Sequence, residues 1–297
     1  MTEQARPPLC AAHDPNPRKP GVSVPRGACD THAHVFGPGD HYPFIPHGLY
    51  TPADALLVDY THMLDVLGME RGVLVQPSVY GTDNQAMLDA MAGKPRLRGI
   101  AVVPYDVNVA EIERLHGLGV RGVRCNIVDL KFGKGALPLD QLKPLAARIK
   151  PYGWHVEFLM HVNEFADLDR QLADFPVDVV FGHLGYVPIS QGTETFGFKG
   201  LLRLMQDGKA WVKLTAPYRV TLSEMPYPDV DAAARVLVEQ AADRLLWGSD
   251  WPHTFIKTRM PNDGDLFDLF ARWVPDEKMR THILVTNPQK LYDFPAT

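Results

Sequence analysis

Cysteine is scarce in this sequence: its 297 residues hold three, Cys10, Cys29 and Cys125, odd in number and widely spaced. That spacing excludes a disulfide framework and a clustered thiolate metal site, and it predicts a reducing, cytoplasmic setting. Long apolar runs are missing too. No stretch approaches the roughly 20 apolar residues of a membrane-spanning helix. The opening Met1-Thr-Glu-Gln-Ala-Arg-Pro-Pro8 lacks the apolar core of a secretory signal. No membrane partner is expected. Nor is there a basic run: 30 Lys and Arg stand against 35 Asp and Glu, a formal net charge of -5. The phosphate-neutralising surface of a nucleic-acid binder is therefore absent. Gly117-Leu-Gly119 and Gly133-Lys-Gly135 read as turn punctuation, without the spacing of a phosphate-cradling loop, so no nucleotide is expected.

What the chain does have is 45% hydrophobic residues, enough for one large core. The first two dozen residues carry Pro, Arg, Lys and Asn without apolar periodicity and predict an N-terminal extension over 1–26, a tail or strap. From Gly27 onward, short apolar runs alternate with longer amphipathic segments. The runs are Ala28–Val35, Gly72–Gln76, Leu97–Val103, Val120–Asn126, Trp154–Met160, Val177–Gly182, Ala210–Leu214 and Leu245–Gly248. Between them, Ala53–Gly68, Val109–Gly117, Leu139–Lys150, Glu164–Asp174, Lys199–Gln206 and Asp229–Ala242 place apolar residues at helical spacing. Strand and helix in eightfold alternation predict a single (β/α)8 TIM barrel over 27–297. A doubly wound open sheet is the competitor, but its Gly-rich turn is missing after the first run. The glycines between Gly185 and Gly200 predict a long loop after the sixth run, on the face where barrels build their pockets.

Asp30-Thr31-His32-Ala33-His34 closes the first run, and side chains two apart on a strand face the same way. His183 follows Val179-Val180-Phe181-Gly182, and Asp250 follows Leu246-Trp247-Gly248-Ser249. An isolated His-x-His pair is ordinarily a packing or surface feature. Three histidines and an aspartate, each directly after an apolar run, converge on one basin if the barrel closes, and buried groups of this kind demand partners.

Several longer stretches carry a resemblance: Cys29-Asp-Thr-His-Ala-His-Val-Phe-Gly-Pro38, Gln76-Pro-Ser-Val-Tyr-Gly-Thr-Asp-Asn84, Arg121-Gly-Val-Arg124, Gly182-His-Leu-Gly185, Lys213-Leu-Thr-Ala-Pro-Tyr-Arg219, Trp247-Gly-Ser-Asp-Trp-Pro-His253 and Asn287-Pro-Gln-Lys-Leu-Tyr292. From about Gly27 to the C-terminus the chain resembles the amidohydrolase-related branch of the amidohydrolase superfamily that includes the 2-pyrone-4,6-dicarboxylate lactonases. The resemblance implies a hydrolase that opens a lactone, a cyclic ester. Asp250 would act as general base on water, and His32, His34 and His183 would polarise the carbonyl. It also implies metal-independent chemistry with no cofactor, and substrate contacts from Ser78, Arg124 and Arg219. Tyr50, Tyr186 and His253 join the expected substrate-binding set, with Tyr80, Tyr218, Trp251 and Phe255 as further candidate pocket aromatics.

A divalent metal, Zn or Mn, is the alternative. His32, His34, His183 and Asp250 are all suitable ligands, and His161 just past the fifth run would add another. Against a binuclear centre, the fourth run ends in Arg124-Cys-Asn-Ile-Val128 without a lysine to form a bridging carbamate. His155 reads as a packing residue at a strand start. A metal-dependent decarboxylase or amide hydrolase is thus the second function, and a barrel that merely binds a carboxylated metabolite the third. The resemblance is incomplete on the substrate side. Leu130-Lys131 stands where a second arginine is expected, Tyr186 in place of an arginine, Phe255 of an asparagine and Leu159 of a tyrosine. Fewer charged anchors imply a monocarboxylated or neutral lactone, such as a sugar-acid lactone or a muconolactone-type ring from aromatic degradation. A homo-oligomer is left open, since apolar positions over 232–238 suit a partner subunit and a barrel strand equally.

Overall fold

Eight parallel strands pair strictly in chain order: β1 (Cys29–Ala33), β2 (Arg71–Val75), β3 (Leu97–Ala101), β4 (Val120–Asn126), β5 (His155–Leu159), β6 (Val179–Phe181), β7 (Ala210–Leu214) and β8 (Leu245–Trp247). This is a computed structural model describing residues 7–46, 48–128 and 136–296. Leu130-Lys131 and Gly133-Lys-Gly135 lie outside the described residues. Each strand falls within two residues of an expected run. The runs are legible because a barrel strand is covered on both faces and is therefore mostly apolar: every residue of β1, β2, β6, β7 and β8 is buried.

Around the strands stand α1 (Leu57–Leu67), α2 (Gln85–Met91), α3 (Val109–Gly117), α4 (Leu139–Ile149), α5 (Leu168–Leu172), α6 (Phe196–Gln206), α7 (Asp231–Ala241) and α8 (Asp263–Trp273). Three expected boundaries move, each for a local reason. α1 starts at Leu57 and not Ala53, because Ala55 exchanges both backbone hydrogen bonds with Phe36 at 2.9 Å. α6 starts at Phe196, where Thr195 accepts from the Phe198 amide, so the loop after β6 is shorter than its glycines suggested. α5 is shorter than Glu164–Asp174, since 162–164 forms a separate single turn.

The barrel closes between β1 and the chain just beyond β8. The Asp250 amide donates to the His32 carbonyl and the His34 amide to that of Trp251, each at 2.8 Å. Asp30 stitches the same seam, accepting from the Ser249 amide at 2.9 Å and its hydroxyl at 2.6 Å. Gly248 is required here, because a Cβ would lie 2.7 Å from the His32 nitrogen. Closure thereby brings the His32-Ala-His34 segment against Asp250. The N-terminal segment lies along the barrel: Cys10 donates to the Thr51 carbonyl at 2.8 Å, and Arg18 pairs with Asp265 and Asp268 on α8. Among the described residues, no helix is long and apolar enough to cross a membrane.

His155 opens β5 inside the barrel, 1% exposed, with neither ring nitrogen hydrogen-bonded and its ring edge-on to Tyr292 at 5.4 Å. Burial pushes its pKa down to about 3 from 6.5. A depressed folded-state pKa contributes stability that is present above pH 6.5 and lost as pH falls toward 3. His155→Phe, nearly isosteric, is expected to make the acid limb of the unfolding free energy shallower by one proton, about 1.4 kcal/mol per pH unit. Urea denaturation at pH 7, 6 and 5 measures it, and an unchanged slope contradicts the assignment.

Candidate active site

The strand ends meet as their order requires. The His32 ring lies 5.0 Å from that of His34 and 5.1 Å from that of His183, centroid to centroid. Asp250 Oδ1 stands 3.4 Å from His32 Nε2 and 3.7 Å from His34 Nε2. All four side chains are buried. His183 and Asp250 turn sharply out of their strands with φ of 52° and 64°, a left-handed backbone that costs a non-glycine residue about 1–3 kcal/mol.

The two oxygens of Asp250 differ. Oδ2 accepts from the Tyr218 hydroxyl at 2.7 Å and from Arg219 Nε at 2.9 Å and Nη2 at 2.8 Å. Oδ1 has no hydrogen-bond partner, and neither has the facing His32 Nε2. Burial alone would raise this carboxyl, but the Arg219 guanidinium overcomes it and holds the group well below the usual carboxylate range. Asp250 is therefore an anion with one oxygen anchored and one left without a partner.

The imidazoles are held neutral. Burial lowers His32 to about 3, assisted by Lys213, and lowers His34 and His183 as well. Their outer nitrogens fix what they offer to the site. His34 Nδ1 lies 2.7 Å from the Val75 carbonyl, which can only accept, so the proton is on Nδ1 and Nε2 presents a lone pair. His183 receives Thr215: the hydroxyl oxygen accepts from the His183 amide at 3.3 Å and faces Nδ1 at 2.7 Å, which leaves Nε2 able to carry a proton. Below His32 a fully buried pair appears. Lys213 Nζ reaches Glu157 Oε2 at 2.6 Å, the Thr31 carbonyl at 2.8 Å and His32 Nδ1 at 3.2 Å, three acceptors for three ammonium protons. With Lys213 donating to Nδ1, neutral His32 carries its proton on Nε2. The opposite tautomer donates Nδ1–H to Glu157 Oε1 at 3.2 Å and turns an Nε2 lone pair into the site.

Above this group opens a cavity of about 160 Å³, lined by His34, Tyr50, Ser78, Arg124, Asn126, Tyr186, His183, Arg219, Asp250 and Thr254, with Leu49, Val128, Leu159 and Phe255 toward the mouth. A cleft near Glu224 and Arg259 is larger, about 300 Å³, but it contains none of the strand-end residues. Ser78, Arg124, Tyr50 and Tyr186, expected as substrate contacts, are all in its lining. Arg124 is buried and donates to the Gln76 carbonyl at 3.0 Å, with no carboxylate at ion-pair distance among the described residues.

Other expectations need correcting. Arg219 lines the cavity but is not a free fork for substrate, because its guanidinium is engaged by Asp250 and the Thr254 carbonyl. His253 does not reach the cavity: it is wholly buried behind Asp250, between the Tyr218 hydroxyl at 2.9 Å and Asp263 at 3.1 Å. His161 is turned to the Tyr186 carbonyl at 2.8 Å and stands outside the ligand cluster. Tyr80, Tyr218 and Trp251 pack outside the pocket wall. Sequence reasoning gave no role to Lys213, Glu157 or Thr215, and expected Tyr218 in the pocket lining, not on Asp250 Oδ2. For Lys213 and Glu157 a signal existed, a charge amid the apolar runs of β7 and β5.

Among the described residues, one group offers metal-ligating atoms within 4.8 Å of each other: His32, His183 and Asp250. The orphaned His32 Nε2 and Asp250 Oδ1 fit a divalent cation as well as they fit water and substrate.

A closed eight-stranded barrel whose strand ends gather three imidazoles and a carboxylate defines an amidohydrolase-type enzyme. The amidohydrolase family model matches residues 29–294, and the chain belongs to that family. It is 38% identical over 287 residues to a 2-pyrone-4,6-dicarboxylate hydrolase of Comamonas testosteroni, covering 93% of each chain. It is 38% identical to a 4-sulfomuconolactone hydrolase of Rhizobium radiobacter over 98% of each. A D-galactarolactone isomerase of Agrobacterium fabrum is 31% identical over 92% of this chain and 93% of its own.

Proposed function

We propose that this enzyme is a lactonase that opens a small carboxylated lactone with water, Asp250 acting as base. The observation that carries the reading is the partnerless Asp250 Oδ1, an ionised oxygen facing the His32 and His34 Nε2 atoms at the foot of a small pocket. A water beside Oδ1 and the His34 lone pair has two acceptors for its protons, which directs its own lone pair at a carbonyl. As the C–O bond forms, the proton passes to Oδ1. The developing oxyanion takes hydrogen bonds from Nε2–H of His32 and His183. Collapse breaks the ring C–O bond, and the leaving oxygen recovers the proton, giving the ring-opened hydroxy acid or its keto form. Arg219 and Tyr218 keep the base oriented throughout. The names of the hydrolase relatives support the substrate class.

Arg124 supplies the anchor. A buried guanidinium without an anionic neighbour is costly until an anion arrives, and a carboxylate completes it through paired, charge-assisted bonds. Arg124→Met is expected to raise KM by at least about 10²-fold, the order of two lost charged hydrogen bonds, with a smaller change in kcat. Steady-state kinetics checks it, and an unchanged KM contradicts the anchor. The lactonase reading itself is tested by a pH-indicator screen of aromatic-pathway and sugar-acid lactones with and without chelator. Acid release that survives chelation supports it; no opened lactone overturns it.

The cluster of His32, His183 and Asp250 favours one second reading, a metal-dependent decarboxylase or amide hydrolase. These three would hold zinc or manganese, with His32 in the Nδ1–H tautomer on Glu157. The ion would supply Lewis-acid polarisation and a more acidic water. Stoichiometric metal, lost together with activity on chelation, is its expected result. A cytoplasmic location accompanies either reading, in keeping with the free, buried thiols of Cys29 and Cys125.

A further inference from the structure

The cavity is chemically divided. Its inner half holds the reacting groups and Arg124, while Leu49, Val128, Leu159 and Phe255 form the wall toward the mouth. Leu49 is 61% exposed, Phe255 44% and Val128 39%, an apolar surface left open to water at the entrance. Tyr50 and Phe255 stack there at 5.7 Å with 26° between their planes. Two of the polar groups along this path are already committed. Arg219 is held by Asp250 and the Thr254 carbonyl. Asn126 is engaged as well. Lys257 places its ammonium 5.9 Å from the Phe255 ring centroid and is not part of the cavity wall.

We infer that the substrate is a monocarboxylated lactone carrying a hydrocarbon substituent, alkyl or aryl, on the side of the ring that faces Leu49, Val128, Leu159 and Phe255. With the carboxylate at Arg124 and the ester carbonyl at Asp250 and the histidines, the remaining substituent points along the apolar wall. A hydroxyl there gives up water, and the side chains of Leu49, Val128, Leu159 and Phe255 return neither a donor nor an acceptor. A second carboxylate loses still more. A hydrocarbon group gains contact area and removes exposed apolar surface from water. This selects against hydroxylated sugar-acid lactones and against dicarboxylated rings. The inference rests on the lactonase reading for the reacting ester, whereas the wall is read by binding alone.

The experiment compares three lactones of one ring size with the same carboxylate: one alkyl-substituted, one hydroxylated and one with a second carboxylate. kcat/KM is measured for each, and calorimetry gives the Kd of the matching non-hydrolysable lactams. The alkyl compound is expected to lead by about 10–200-fold per group in contact, the discrimination a hydrophobic pocket provides. Leu159→Asn and Phe255→Asn should each shrink the alkyl-to-hydroxyl ratio in both assays. If the hydroxylated or dicarboxylated lactone is opened as well or better, the apolar specificity is overturned while the lactonase reading stands. If no lactone is opened but the alkyl lactam binds tightest, the lactonase reading falls and the wall assignment holds. Equal binding of all three lactams overturns the inference.

Discussion

Asp250→Asn lowers kcat by about 10²–10⁴, the range of a positioned acid–base group, and leaves KM within a few-fold of its value. The amide keeps the shape of the carboxylate and retains an oxygen for Tyr218 and Arg219, so the second oxygen-facing contact is preserved in outline. What disappears is the anionic Oδ1 that receives the water proton. Arg219 also loses its counter-charge in a buried setting, so a lower melting temperature accompanies the kinetic loss. The kinetic effect is separated from the structural one by measuring kcat well below that melting temperature. A variant that turns over at near wild-type rate contradicts the role of Asp250.

Removing Lys213 produces the largest loss of stability. Glu157 and Lys213 are both buried within the barrel, and the lysine ammonium is fully used by Glu157, Thr31 and His32. Burial by itself would raise the Glu157 carboxyl, yet Lys213 and His32 hold it well below its ordinary value, so it stays charged. Lys213→Met strands that charge and is expected to destabilise the fold by about 3–5 kcal/mol. The double variant Lys213→Met with Glu157→Gln removes both charges and should recover a substantial part of the loss. Chemical denaturation of the two single variants and the double gives the coupling energy directly, and additive losses contradict the pair. Activity follows a different course: even where stability is recovered, His32 has lost the donor that favours its Nε2–H tautomer, so kcat stays depressed.

The strands were legible because barrel strands are covered on both faces, so burial wrote itself into mostly apolar runs, as in β2, β6 and β8. His32 within the last residues of β1, and His34, His183 and Asp250 beyond β1, β6 and β8, were legible for the same reason, since a polar group at the end of a buried strand lies at the barrel mouth. Partnerships were not legible. Arg219 and Asp250 are 31 positions apart, and only the folded chain places the guanidinium on the carboxylate instead of in the open pocket. His253 shows the converse error: three residues from Asp250 in sequence, it faces away into Tyr218 and Asp263. α2 and α8 were not among the segments named from periodicity. The left-handed turns at His183 and Asp250, which swing both side chains into the site, have no composition signal, because neither residue is glycine.

The central claim is that water assisted by Asp250 attacks the carbonyl of a lactone. It is tested most directly by a single turnover of an alkyl-substituted, monocarboxylated lactone in oxygen-18 water, with mass spectrometry of the product. Ring opening by attack at the carbonyl places one heavy oxygen in the newly formed carboxylate and none in the liberated hydroxyl. Product that carries no heavy oxygen, as isomerisation or decarboxylation would give, contradicts the account.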